Sequence, residues 1–226
     1  MRYRGILFDL DMTLFDFNTG NRIAVNRLLD EVGYISPNRY DEYEAVNQAC
    51  WTELERGTMT NAALKVVRFE RFFAQYRIDA DPARAATRFV ELLGGQAIML
   101  PGAEAVAREI AAARKVAFVT NGIADVQRNR LARSPLSDLG ASLIISEVVG
   151  VAKPRPGIFN AALEAIGVAR GEALMIGDGA TSDVKGANAA GIDACWLNPA
   201  GAALPKGVHA EYIVSRIEDC VGIALR

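Results

Sequence analysis

The chain has 226 residues, 25 Lys+Arg against 27 Asp+Glu, one histidine and three cysteines. That length allows one large domain or one and a half average ones, and it buries roughly 70% of the unfolded surface without covalent staples. The net charge of −2 argues against a generally basic surface for a nucleic-acid polymer, and the single His209 excludes zinc sites built on two or three histidines.

Cys50, Cys195 and Cys220 are widely spaced and form no CxxC pair, so neither a disulfide framework nor a thiolate metal site is suggested. The apolar run at 4–8 is too short for the core of a signal peptide. No stretch approaches the ~18 apolar residues of a membrane span. The expectation is a soluble cytoplasmic protein with no membrane partner, in which His209 is a loop residue.

In chain order, residues 4–8 read as the first strand, a short apolar run closed by Asp9. Residues 17–93 differ in texture. They are rich in Ala, Leu, Glu and Arg through 40–56, 60–76 and 82–93, which reads as a helical insertion. Leu28, Leu29 and Val32, then Val66, Val67, Phe69, Phe72 and Phe73, form apolar stripes sufficient for a small bundle. Gly94-Gly95 and Pro101-Gly102 mark flexible connections. Gly102 to Arg114 then reads as a helix with Val106 and Ile110 on one face.

Apolar runs at 116–120, 143–149, 173–177 and 193–197 read as strands buried on both faces, the pattern of a parallel sheet. A helix opening at Pro156 carries Phe159, Leu163 and Ile166 and ends at Gly167; another follows Asp183 and ends at Gly191. The predicted fold is α/β: a doubly wound parallel-sheet core over 1–16 and 94–226, with an inserted all-helical cap domain over 17–93. Hinged at two connections, such a cap could open and close over a site.

In an open parallel sheet, ligands bind beyond the carboxyl ends of the strands. Here those ends carry Asp9, Asp11 and Thr13; then Thr120, Asn121 and Gly122; then Lys153 before Pro154; then Gly177, Asp178 and Asp183. Asp9, Asp11 and Asp178 brought together would repel unless a cation sat among them. An all-oxygen donor set suits Mg²⁺, with Mn²⁺ as the alternative. Lys153, the Thr120 hydroxyl and the N–H groups of Asn121 and Gly122 are the groups to bind phosphate oxygens.

These residues resemble the four motifs of the haloacid dehalogenase (HAD) superfamily, and the resemblance covers nearly the whole chain. Asp9, Asp11 and Thr13 match Asp-x-Asp-x-Thr, Thr120 the second motif, Lys153 before Pro154 the third, and Gly177, Asp178 and Asp183 the fourth. The resemblance implies a HAD-like, Rossmann-type core with a C1-type helical cap. It further implies Asp9 as nucleophile in an aspartyl-phosphate mechanism and Asp11 as general acid and then base. Asp9, the Asp11 carbonyl and Asp178 would hold Mg²⁺, with Asp183 acting from behind. Dehalogenating members lack the second Asp, so Asp11 favours phosphate chemistry.

Within the insertion, Asn47 and Trp51 share a helix face, suited either to stacking on a base and reading its edge or to packing the cap's own core. The segments 45–51, 146–154 and 195–198, with Gly57 and Arg68-Phe69, look like bacterial pyrimidine 5′-nucleotidases. That likeness implies a Mg²⁺-dependent 5′-nucleotidase acting on a small-molecule phosphate ester, with Asn47, Trp51 and Arg68 touching substrate, in a monomer or homodimer. The alternatives on the same scaffold are a sugar-phosphate phosphatase or a hexose-phosphate mutase, for which Arg56, Arg68 and Arg71 could bind a second phosphate. A catalytically idle binding module is disfavoured, because a scaffold has no reason to gather repelling carboxylates.

Overall fold

The computed structural model describes residues 2–226, the side chain of Glu55 excepted. The chain divides into two compact units: residues up to Phe17 together with Ala97–Arg226, and Asn18–Gln96.

The second unit is helical. Its elements are α1 (Phe17–Glu31, whose first residue belongs to the first unit), α2 (Arg39–Glu55), α3 (Asn61–Tyr76) and α4 (Pro82–Gly94). Helix α3 is opened by Thr60, whose hydroxyl accepts from the Ala63 N–H at 3.2 Å. Helix α4 is opened by Asp81, which accepts from Ala83 (2.8 Å) and Arg84 (3.2 Å), with Pro82 pre-set for the first turn. An aromatic cluster fills the interior: Tyr43 lies 5.6 Å from Phe69 and 5.7 Å from Phe72, and Phe69 lies 5.6 Å from Phe89. Leu28, Leu29, Phe69, Phe72 and Phe73 are buried as the periodicity predicts. Val32, Val66 and Val67 are only partly buried. The inward face of α3 runs through Leu64, Arg68, Phe69, Phe72 and Phe73, which leaves the two valines on its flank.

The first unit is a six-stranded sheet in the order β3-β2-β1-β4-β5-β6, every pair parallel. In chain order the strands are β1 (Gly5–Phe8), β2 (Lys115–Thr120), β3 (Ser142–Ile145), β4 (Ala173–Gly177), β5 (Asp193–Leu197) and β6 (Tyr212–Val214). The helices are α5 (Ala103–Ala111), α6 (Ala124–Arg133), α7 (Ser146–Val149), α8 (Pro156–Ile166), α9 (Lys185–Ala190) and α10 (Asp219–Ala224), and a π-helical turn, Ala180–Val184, leads into α9.

Alternate residues of each strand feed opposite cores. Ile6, Phe8, Phe118, Leu174 and Ile176 pack with Val106 and Ile110 of α5 and Ile223 of α10. Leu7, Val119, Met175 and Trp196 pack with Phe159 and Leu163 of α8 and Ala187 of α9. This is a doubly wound α/β core.

Two elements depart from the sequence reading. The apolar run 143–149 does not continue as a strand: β3 stops at Ile145 and residues 146–149 turn into α7. Val148 is 58% exposed, so apolar character here does not report burial. Gly150, with φ of 78°, closes the turn. The final strand β6 has only three residues with Ile213 exposed at the sheet edge, too short and too open to stand out in the sequence.

Candidate active site

The order in which strands are added reverses at β1: β2 and β3 lie on one side of it, β4 to β6 on the other. The crevice beyond the carboxyl ends of β1 and β4 is therefore the switch point where a ligand site forms in such sheets. Asp9 follows β1, and its N–H donates to Ile176 O of β4 at 2.9 Å. The chain then folds back at once: Leu14 and Phe15 both donate to Leu10 O at 2.8 Å, with Met12 at φ 64°. A left-handed residue with a side chain costs about 1–2 kcal/mol, and the resulting tight turn sets Asp9, Asp11 and Thr13 around one point.

Lys153 lies at the centre. It is 6% exposed and pairs with Asp9, with Asp183 at 2.7 Å and with Val119 O at 2.9 Å. The ammonium thus donates to Asp9 and to the strand carbonyl and is ion-paired with Asp183. Burial works against this charge, but Asp183 and Asp9 hold the ammonium well above the usual lysine range. Asn121 fixes the backbone beneath it, accepting from the Lys153 N–H at 2.8 Å and donating to the Lys153 carbonyl at 2.9 Å. The Asn121 side chain therefore positions lysine rather than facing the crevice.

Thr13 ties the first and fourth motifs together. Its hydroxyl lies 3.2 Å from Asp9 Oδ2 and 3.3 Å from Asp178 Oδ1, and it accepts from the Asp178 N–H at 3.1 Å. Asp183 accepts from the Gly179 N–H at 2.8 Å. A Cβ on Gly177 would sit 2.4 Å from Asp183 Oδ2, so this close approach requires glycine. Trp196 of β5 donates to Asp178 O at 2.8 Å.

Carboxylate oxygens of Asp9, Asp178 and Asp183 lie within 4.8 Å of one another. One ammonium set against three carboxylates leaves an excess of negative charge, and burial drives the response: the Asp9 carboxyl is pushed well above its usual range, with Lys153 opposing, and that of Asp178 up to about 6. All three carboxylates bring oxygen donors to this cluster. Such a set fits a hard divalent cation.

Thr120 ends β2. Its Oγ accepts from the Gly122 N–H at 3.2 Å, so that N–H, expected to face an anion, is already used. It also accepts from Gln127 Nε2 at 2.8 Å. Gln127 further donates to Asp11 Oδ2 at 2.7 Å, and Arg130 pairs with Asp11 Oδ1. The sequence reading did not single out Gln127 or Arg130. They stand one turn apart on α6, but among Arg128, Asn129 and Arg133 nothing in composition marks which polar side chains turn inward.

In the helical unit, Asn47 is buried on α2 and Trp51, one turn on, is partly exposed. Arg68 of α3 is 2% exposed, stands 3.5 Å from Asn47 Oδ1 and lies 4.5 Å above the Phe89 ring. Its Nε and Nη2 have no hydrogen-bond partner among the described residues. Asn47 and Arg68 are thus neighbours, and the Arg68 charge is met by an amide and a ring.

Residues 3–191 match the family model of haloacid dehalogenase-like hydrolases. The chain belongs to that family and is a hydrolase of it. Over 220 residues it is 34% identical to the pyrimidine 5′-nucleotidase YjjG of Escherichia coli, covering 97% of this chain and 96% of that protein. It is 35% identical over 202 residues to the pyrimidine 5′-nucleotidase PynA of Streptococcus pneumoniae, covering 88% and 85%. Among solved structures, Bacillus subtilis YfnB bound to magnesium superposes with a TM-score of 0.89 at 29% identity over 99% of both chains. No helix among the described residues is long and apolar enough to cross a membrane.

Proposed function

We propose that this chain is a Mg²⁺-dependent phosphomonoester hydrolase that works through an aspartyl-phosphate on Asp9, with pyrimidine nucleoside 5′-monophosphates as its substrates. The observation that carries the phosphatase reading is the meeting of Asp9, Asp11, Thr120, Lys153 and Asp178 at the ends of adjacent parallel strands. The nucleotide reading is supported by similarity to two named pyrimidine 5′-nucleotidases across most of each chain.

Asp9 Oδ attacks phosphorus. As that O–P bond forms, the ester P–O bond breaks, and the leaving alkoxide takes its electron pair and a proton from Asp11. Asp11, now a carboxylate, then removes a proton from the water that cleaves the acyl phosphate. Lys153 holds Asp9 in place and lends positive charge to the transferring group, and the Thr120 hydroxyl donates to a phosphate oxygen. Asp9, Asp178 and the Asp11 carbonyl would hold Mg²⁺, which neutralises charge on the phosphate oxygens when bound. Thr13 and Asp183 set the orientation of these carboxylates. The helical unit acts as the cap, with Asn47, Trp51 and Arg68 contacting the nucleoside.

The test is phosphate release from a panel of nucleoside monophosphates and sugar phosphates, with Mg²⁺ and with EDTA. The expected result is release from deoxyuridine or thymidine monophosphate, abolished by EDTA and lost in Asp9→Asn while the circular dichroism is unchanged. Absence of release from every monophosphate would overturn the reading. Interconversion of hexose phosphates that depends on a sugar bisphosphate would replace it with the mutase.

A further inference from the structure

Two groups on α6 grip Asp11, and neither belongs to the four strand-end motifs. Gln127 and Arg130 are each 1% exposed, whereas the Asp11 side chain that they hold is 26% exposed. The contact joins a buried helix face to a partly exposed carboxylate of the site.

The hydrogen-bond directions are fully determined. Gln127 Oε1 accepts from Arg130 Nη1 at 3.1 Å, which fixes the amide so that Nε2 faces the other way. The two Nε2 protons then go to Asp11 Oδ2 at 2.7 Å and Thr120 Oγ at 2.8 Å. Thr120 Oγ already accepts from the Gly122 N–H, so both of its acceptor positions are filled. Its own proton is left for an acceptor beyond the strand end. Arg130 in turn is held between rings, its guanidinium carbon 4.6 Å from the centre of Phe15 and 5.7 Å from that of Phe17. The glycine at 122 gains a reason as well: a Cβ there would lie 2.3 Å from Gln127 Nε2 and displace it.

We propose that Gln127 and Arg130 are positioning residues for the reaction: together they aim the Asp11 carboxyl at the leaving group. This rests on the acid/base reading of Asp11 given above. Side-chain misplacement of an ångström in such a group costs on the order of 100-fold in rate.

A role in aiming the acid differs from a role in holding the fold, because the need for a proton depends on the leaving group. A nucleoside alkoxide cannot depart without one, whereas 4-nitrophenolate departs readily. The test compares kcat/KM, which reports steps through phosphoryl transfer to Asp9, for deoxyuridine monophosphate and 4-nitrophenyl phosphate at saturating Mg²⁺. Gln127→Met is expected to lose about 10–100-fold on the nucleotide and less than about 5-fold on the aryl phosphate. Arg130→Lys, which keeps the charge, is expected to fall between wild type and Gln127→Met, with the same selectivity. Equal losses on both substrates, or no loss on either, would overturn the proposal. Should Gln127→Met lose its native circular dichroism, Gln127→Asn gives the same comparison with the amide retained one methylene short. Asp11→Asn separates the two levels. If it lacks the leaving-group selectivity, the acid/base reading falls and the positioning role with it. If Asp11→Asn shows the selectivity and the α6 variants do not, only the positioning role falls.

Discussion

Lys153 illustrates how a single buried side chain can carry both stability and reactivity. Its ammonium meets Asp9, Asp183 and a strand carbonyl inside the protein. Removing one partner of a buried ion pair typically costs about 3–5 kcal/mol, because the charge left behind has no water to solvate it. Lys153→Met is therefore expected to lower the unfolding free energy measured in urea by an amount in that range and to abolish turnover. Lys153→Arg should not restore activity, since a planar fork cannot replace a compact ammonium with three divergent donors. Stability unchanged in Lys153→Met would show that the carboxylates are not held together by this charge. At this scale the sequence was readable wherever a polar residue directly followed an apolar run, as for Asp9, Thr120 and Asp178. Gln127, Arg130 and Trp196 were not readable, because each acquires its partner only when a distant strand end comes to meet it.

Among the elements, α8 and α9 pack closely enough to constrain the loop that carries Lys153. A Cβ added at Gly186 would lie 2.5 Å from the Phe159 ring and 2.9 Å from Pro154 Cα. Neither can yield freely: the ring lies in the core under the sheet and the Cα is backbone. Gly186→Ala is expected to destabilise the protein by about 1–3 kcal/mol through overpacking, and to lower kcat by shifting Pro154 and with it Lys153. Gly222→Ala, which meets nothing within 4 Å, is the control and should be neutral or slightly stabilising by denaturant unfolding. A Gly186→Ala variant as stable as wild type would show that α9 can shift at no cost. Strands buried on both faces were legible as apolar runs, and helices ending at Gly167 and Gly191 were legible from their caps. The run at 143–149 misled because α7 is an exposed turn whose valines face solvent, and hydropathy alone does not distinguish a covered residue from an uncovered one.

For the molecule as a whole, the carboxylate cluster couples pH, metal and stability. In the metal-free protein Asp9 and Asp178 bind protons more readily folded than unfolded, Asp178 from 3.8 up to about 6. Their contribution therefore falls as pH rises through that window, since the folded state must then hold charges that burial disfavours. A divalent cation takes the place of those protons. At about one hundred times its dissociation constant, Mg²⁺ would add about 2.7 kcal/mol, or roughly 5–10 °C in melting temperature for a chain of this size. Calorimetry is expected to show that gain at about pH 7.5 and a smaller one at about pH 5.5; equal gains, or none, would mean that the cluster is not the metal site. The division into a strand-rich core and a helical insertion could be read from texture because residues 17–93 lack the short apolar runs that alternate with helical segments later in the chain, whereas strand order could not, since pairing is decided by the crossovers. That order has a consequence for biosynthesis. β1 is made first, yet its two neighbours are Lys115–Thr120 and Ala173–Gly177. The whole of Asn18–Gln96 leaves the ribosome in between, with its contacts close in sequence. The first strand synthesised must wait, unpaired on both edges, while a later-made helical unit folds ahead of it.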